Sequence, residues 1–185
     1  MSVAFGVIRD RQDQLFLHLE QTYPSHRVLR DKIEEPILWL RSPDELVPMI
    51  EALRREPATQ FDRLSDITAY DNIDHVDGPK RLIVVYQLYS LQHHTRLRLK
   101  IAIDQDESVP TLTVVWGAAN WLEREVFDMF GIRFAGHPDL RRILMDERFV
   151  GHPLLKEYEL EARQPFSDSL PVRIATGFES PEESH

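Results

Sequence analysis

The feature that most constrains the fold of this chain is a nine-residue run, residues 95–103, in which Leu97, Leu99, Ile101 and Ile103 alternate with Arg96, Arg98, Lys100 and Ala102. Successive side chains of a strand point to opposite sides, so this run has one apolar face and one basic face. That combination predicts a strand of an antiparallel sheet, with one side on a core and the other in water. Residues 61–70 and 80–90 are also strand-like, and Asp71-Asn72 and Asp77-Gly78-Pro79 separate them as turns. The three runs read as a meander, with His93-His94 at an exposed hairpin tip.

Upstream, Leu15, Phe16 and Leu19 recur near helical spacing ahead of Pro24, which predicts a helix over residues 10–23. A short strand follows at Ile37-Leu38-Trp39-Leu40. Ser42-Pro43-Asp44-Glu45 has the form of a capping box before the apolar positions Leu46, Ile50 and Leu53, and Pro57 marks the end. Pro48 leaves two readings, a kinked helix or a regular helix starting near Val47. Helix, strand, helix and meander together predict an α+β fold: a mostly antiparallel sheet with helices on one face, then a motif helix and an extended irregular C-terminal segment.

No covalent staple supports this fold, because the 185 residues include no cysteine. A core of roughly 100 to 150 residues needs none. The absence also excludes disulfides, thiolate metal sites, ligation of an iron–sulfur cluster and a thiol nucleophile. With 31 acids against 22 Lys and Arg the net charge is −9, which argues against capture of nucleic acid or anionic lipid. The longest uncharged runs, residues 82–95 and 109–122, fall short of the about 20 apolar residues of a membrane span. The first residues show no export or import signal, so the expected compartment is the cytoplasm or an organelle that encodes the protein itself.

After Pro110 the character changes. Residues 118–130 predict a helix closed by Gly131, whose lack of a Cβ suits a left-handed C-terminal position. Large apolar residues fall on several of its sides, so a second cover besides the sheet is expected. Residues 132–158 have irregular apolar spacing broken by Gly136, Pro138, Gly151 and Pro153, the composition of an ordered loop. Beyond it, residues 157–185 carry seven acids and two bases and read as an extended acidic tail that orders against a partner, with Phe166, Leu170, Val172, Ile174 and Phe178 as separated anchors. The organisation is thus an α+β domain over residues 1–117, a motif helix and partner-binding loop over 118–158, and the tail over 159–185.

Glu123, Glu125 and Asp128 offer a general acid–base pair, but Arg124 lies four residues before Asp128 and offers an ordinary helix ion pair. The repeated Gly-His-Pro at His137 and His152, with Asp139 or Glu157, offers metal ligands. No recognised ligand spacing accompanies it, and a histidine tying a turn is the commoner use. Arg96, Arg98 and Lys100 read as a solvated sheet face. The seven glycines form no phosphate loop or dinucleotide fingerprint.

The run Ala119-Asn120-Trp121-Leu122-Glu123-Arg124-Glu125-Val126-Phe127-Asp128-Met129-Phe130-Gly131-Ile132, followed by Phe134 and Gly136-His137-Pro138-Asp139-Leu140-Arg141-Arg142-Ile143-Leu144-Met145, resembles the signature of the thirty-kilodalton subunit family of respiratory complex I, the bacterial NADH:quinone oxidoreductase. The order of the preceding elements resembles that family too. Its pattern continues as Gly-His-Pro-Leu-Arg-Lys-Asp-Tyr-Pro; here Leu155, Glu157 and Glu159 stand at the Arg, Asp and Pro places, while Lys156 and Tyr158 keep theirs.

The resemblance implies a structural subunit of the peripheral arm of a proton-translocating enzyme passing electrons from NADH to quinone. It implies no catalytic, cofactor-binding or metal residue in this chain, with flavin and iron–sulfur clusters in the partner subunits. The implied partners are the forty-nine-kilodalton subunit at the quinone site and the subunit that holds the terminal cluster, on the cytoplasmic side of a bacterial inner membrane. The implied contact set is Trp121, Glu123, Arg124, Glu125, Asp128, Phe130, His137, Arg141, Arg142, His152, Lys156 and Tyr158. The alternatives are the equivalent subunit of a ferredoxin-, formate- or hydrogen-linked relative, or a free-standing carboxylate or metal hydrolase.

Overall fold

The computed structural model describes residues 2–159, with side chains from residue 9 onward; the predicted tail lies outside the described residues apart from its first position. The chain runs α1 (Ser2–Thr22), β1 (Arg27–Arg30), β2 (Pro36–Leu40), a 3-10 turn (Pro43–Glu45), α2 (Leu46–Arg55), β3 (Arg63–Asp71), β4 (Leu82–Ser90), β5 (Thr95–Ile103), β6 (Ser108–Pro110), α3 (Ala119–Phe130) and β7 (Arg133–Ala135). The helix α1 begins eight residues before its predicted start.

The alternating run is β5, in the middle of a five-stranded sheet of order β1-β2-β5-β4-β3. β3, β4 and β5 form the expected antiparallel meander. On its other side β5 pairs parallel with β2, which the alternation did not predict. The connection from β2 to β5 carries α2 and two strands, long enough for the crossover a parallel pair needs. The pairing extends the sheet, and β1, a strand without a clear apolar pattern, adds antiparallel to β2.

Leu15 and Leu19 of α1, Leu46, Met49, Ile50 and Leu53 of α2, and Val126 and Phe130 of α3 share one buried cluster with Leu97, Leu99, Ile101 and Ile103. The three helices therefore cover one face of the sheet. At about 25 cal/mol per Å² of apolar area, each fully buried Leu or Ile here contributes about 2 kcal/mol against its exposed state. Phe134 and Leu155 join the same cluster, so the C-terminal segment shares the core of the α+β fold.

Three local expectations are corrected: the Ser42 cap, the solvated basic row of β5 and the exposure of His93. Ser42 makes no side-chain cap; its motif forms the 3-10 turn, and Glu45 accepts instead from the Arg41 backbone N–H at 3.1 Å and from its guanidinium. Helix α2 starts at Leu46, which puts Pro48 in the first turn, where a missing N–H costs no intrahelical bond. Nor is the basic row of β5 simply solvated. Arg98 is paired with Asp31 and Glu35, while the Lys100 ammonium lies over the rings of Trp39 and Tyr70 at 5.1 and 5.0 Å. His93 is half-buried at the hairpin and bonds the Pro57 carbonyl oxygen at 2.9 Å, whereas His94 is exposed.

Candidate functional site

Helix α3 carries two buried carboxylates five residues apart, Glu123 and Asp128. At 100° per residue they lie about 140° apart around the axis, so each tethers a different side of the helix. Glu123 reaches back. It accepts from the Thr111 hydroxyl at 2.6 Å and the Leu112 backbone N–H at 2.7 Å, joining α3 to the turn after β6. Among the described residues its one ion-pair neighbour is the buried ring of His137, whose Nε2 is 3.9 Å away. Burial pushes the Glu123 carboxyl up to about 7, against the lowering by the Thr111 and Leu112 donors. The fully buried Tyr86 hydroxyl faces the same charge without a hydrogen-bond partner among the described residues, and burial holds its pKa well above the usual value.

Asp128 reaches forward. Its Oδ2 accepts from the backbone N–H groups of Ile143, Leu144 and Met145 at 3.0, 2.8 and 2.8 Å, and its Oδ1 from Arg142 Nη1 at 2.8 Å. Burial raises the pKa of this carboxyl, but the backbone donors and Arg142 outweigh it and leave it below the ordinary carboxylate value. Arg142 also donates to the Gly151 carbonyl at 2.8 Å, drawing the two halves of the loop together. Arg124 donates to the carbonyls of Arg141 and Arg142 at 3.1 and 3.3 Å and lies over the Trp121 ring at 5.1 Å. The expected Arg124–Asp128 ion pair does not form, because Asp128 faces the loop and is engaged there.

Both histidines tie turns. His137 Nδ1 accepts from the Asp139 N–H at 3.0 Å, and its Nε2 donates to the Asn120 carbonyl at 3.2 Å. His152 Nδ1 donates to the Asp128 carbonyl at 2.9 Å. The His152 ring rests against Gly131, which has φ +77° and where a Cβ would fall 2.7 Å from the ring. At the far end, Asp71 accepts from the Lys156 N–H at 2.9 Å and from Arg81 at 3.1 Å. Leu155, in place of the family's arginine, is buried in the core, and Glu157 pairs with Arg81 at 3.1 Å.

The twelve residues expected at a partner surface therefore divide. Glu123, Asp128 and Phe130, expected at the surface, are instead buried within the chain. The His137 side chain is buried too, and Arg124, Arg142, His152 and Tyr158 are half-buried. Trp121, Glu125, Arg141 and Lys156 are exposed. The acid–base pair is not formed, since Glu125 is exposed while Asp128 is buried in the loop clamp. Among the described residues no group of three or more His, Asp or Glu is placed to hold a metal ion. Sequence reasoning missed Thr111, Asp71 and Arg81, residues that stand in no motif and whose partners are distant in the chain. It also missed the exposed apolar groups Leu144, Val150 and Leu154, which are 60%, 75% and 53% exposed, comparable with the 61% of Trp121.

What the arrangement does chemically is rigidify. A loop without regular elements, residues 136–158, is fixed by buried ionic and backbone hydrogen bonds while it exposes apolar side chains. No described helix is long and apolar enough to cross a membrane.

Residues 40–164 match the family described as respiratory-chain NADH dehydrogenase, 30 Kd subunit. The C subunit of the NADH-quinone oxidoreductase of Cereibacter sphaeroides is 49% identical over 146 residues, 78% of this chain and 71% of the relative. The mitochondrial NADH-ubiquinone oxidoreductase 30.4 kDa subunit of Neurospora crassa is 43% identical over 119 residues, 64% of this chain and 41% of the relative. The chain spans 56 to 63% of the length of several other bacterial relatives of the same name. Among solved structures, a chain of the membrane-bound sulfane sulfur reductase, an archaeal respiratory membrane complex, superposes with a TM-score of 0.63 at 19% identity, covering 86% of this chain and 98% of that one, and so shares the fold. Taken with the helix and loop just described, the match over most of its length means that this chain belongs to the family of the 30-kilodalton subunit of respiratory-chain NADH dehydrogenase.

Proposed function

We propose that the chain is a cofactor-free scaffold subunit of the peripheral arm of a proton-translocating NADH:quinone oxidoreductase. In this reading residues 118–158 form the main partner surface, residues 159–185 lie extended along a neighbour, and the neighbours are the quinone-site and terminal-cluster subunits on the cytoplasmic side of the membrane. The observation that carries it is the exposure of Trp121, Leu144, Val150 and Leu154 on a helix and loop that buried hydrogen bonds hold rigid. Rigid presentation of large apolar groups suits an assembly interface, since little ordering entropy remains to be lost on docking. The twelve residues of the contact set take two roles in it: the exposed Trp121, Glu125, Arg141 and Lys156 touch the neighbour, while Glu123, Arg124, Asp128, Phe130, His137, Arg142, His152 and Tyr158 hold the surface in shape.

Purification of the tagged chain from membranes tests this. Co-isolation of quinone-site and terminal-cluster subunits together with a flavin-bearing NADH-oxidising subunit is the expected result. Ferredoxin-, formate- or hydrogen-oxidising subunits in its place would assign the chain to a relative of that enzyme, and a chain isolated alone would refute the scaffold reading.

A further inference from the structure

The described helices share the core of one face of the sheet; on the other face Ile37, Trp39, Ile83 and Val85 form a small buried cluster of their own, packed by Leu29, Tyr70 and Ala102. At one end of that face Arg63, Tyr89 and Arg96 stand side by side across β3, β4 and β5, since Arg63 is in register with Tyr89 and Tyr89 with Arg96. Asp66, Gln87 and Arg98 form the next row, and Gln87 and Arg98, with Ser65 of the edge strand and Glu35, line a groove at this end.

The three arginines differ in what they have left to give. Arg98 is engaged by Asp31 and by Glu35 at 3.0 Å, which spends its charge inside the fold. Arg96 reaches Glu35 through one nitrogen at 3.3 Å, and its side chain is 66% exposed. Arg63 is exposed and has no ion pair among the described residues. Two guanidinium groups with unused donors thus flank an aromatic floor, in a chain whose net charge is −9. Across two interstrand spacings of about 4.8 Å, their backbones are about 10 Å apart.

We propose that this groove is a second docking surface, on the opposite side of the sheet from α3, and that it takes an extended acidic segment of a neighbouring protein, whose carboxylates pair with Arg63 and Arg96 while its backbone lies over Tyr89 and Gln87. Carboxylates two residues apart on an extended strand are about 7 Å apart, within reach of both side chains, and planar carboxylate recognition is what a guanidinium does best. The site is too short, and the chain too acidic, to attract a nucleic acid or an anionic lipid surface over distance. The inference rests on the reading of the chain as an assembly subunit, but concerns a different face.

The absence of cysteine makes the test clean, since Ser65→Cys introduces a unique thiol into this chain. Maleimide labelling of that thiol is followed in the isolated full chain and in the assembled membrane complex. The expected result is labelling slowed about tenfold or more on assembly, as for a site withdrawn from solvent at an interface. In parallel, Arg63→Lys in the complex is treated with a carbodiimide, which joins an amine directly to a carboxylate in contact with it; the expected product links Lys at this position to Asp or Glu of another subunit. Equal labelling in both states overturns the proposal, as does protection without coupling to another protein. Protection that vanishes on delipidation of an intact complex assigns the face to lipid and overturns it as well. Co-isolation of the unaltered chain with its partners reads the scaffold function separately, so failure here leaves that result standing.

Discussion

Arg142 and Asp128, fourteen residues apart in sequence, meet at 2.8 Å with the Asp128 side chain fully buried. The pair is the point at which a helix becomes the anchor of a loop, because the other oxygen of the same carboxylate gathers three successive backbone N–H groups. A buried pair of this kind specifies geometry more than it adds stability, yet removing one partner is costly.

Asp128→Ala should therefore destabilise the chain by about 3–5 kcal/mol, the range for breaking a buried ion pair. Denaturant unfolding reads the loss. Hydrogen exchange should show the amides of Ile143, Leu144 and Met145 deprotected ahead of the β-sheet. Equal protection of these amides in the variant would show that the loop holds without the clamp.

Glu123 should give stability a pH dependence of the opposite sign to a salt-bridged acid. Its carboxyl is raised from 4.5 to about 7 in the fold, so the folded state binds more protons than the unfolded chain between those values. Stability contributed by this site is full below about pH 4.5 and declines as pH rises towards and past 7, by at most about 3 kcal/mol. Glu123→Gln keeps an acceptor for Leu112 and removes the titration. The variant should lose less stability than the parent chain between pH 5 and pH 8, measured by urea unfolding at both values. Parallel curves would mean that Glu123 does not titrate there.

Gly131→Ala meets two penalties at once, a left-handed backbone at φ +77° and a ring carbon of His152 at 2.7 Å from the new Cβ. Together these predict a loss of about 2–3 kcal/mol. Gly78→Ala isolates the first penalty, since Gly78 has φ +110° but nothing within 4 Å, and should cost about 1 kcal/mol. Thermal unfolding of both variants separates backbone strain from the packing of His152; equal losses would refute the packing role.

Trp121→Ala and Leu144→Asp remove or charge exposed groups, so the melting temperature of the free chain should stay within about a degree or two, as for surface substitutions. Assembly should suffer. A buried aromatic anchor is worth about 2 kcal/mol or more at an interface, enough to deplete the co-isolated partners. Undiminished co-isolation from both variants would move the partner surface elsewhere.

Local periodicity is written along the chain and was legible there: the two-faced strand β5, the apolar stripe of α2, and the stop of α3 at Gly131, where one residue type relieves a left-handed turn. The family signature was legible too, because a run of unlike residues in fixed order is specific even when each position alone is not. Which charge meets which was settled only by folding. Arg124 stood one helical turn from Asp128 and was the natural partner by spacing, yet the low-dielectric interior gave Asp128 to Arg142 and three loop amides, where a buried carboxylate finds more donors than a helix surface offers. The same holds for Glu123, which by pattern is one of several acids on a charged helix and by position is buried beside a histidine ring and two neutral donors. Periodicity is a property of neighbours along the chain and survives in the sequence; desolvation depends on atoms brought from elsewhere in the chain, and exists only once the chain has folded.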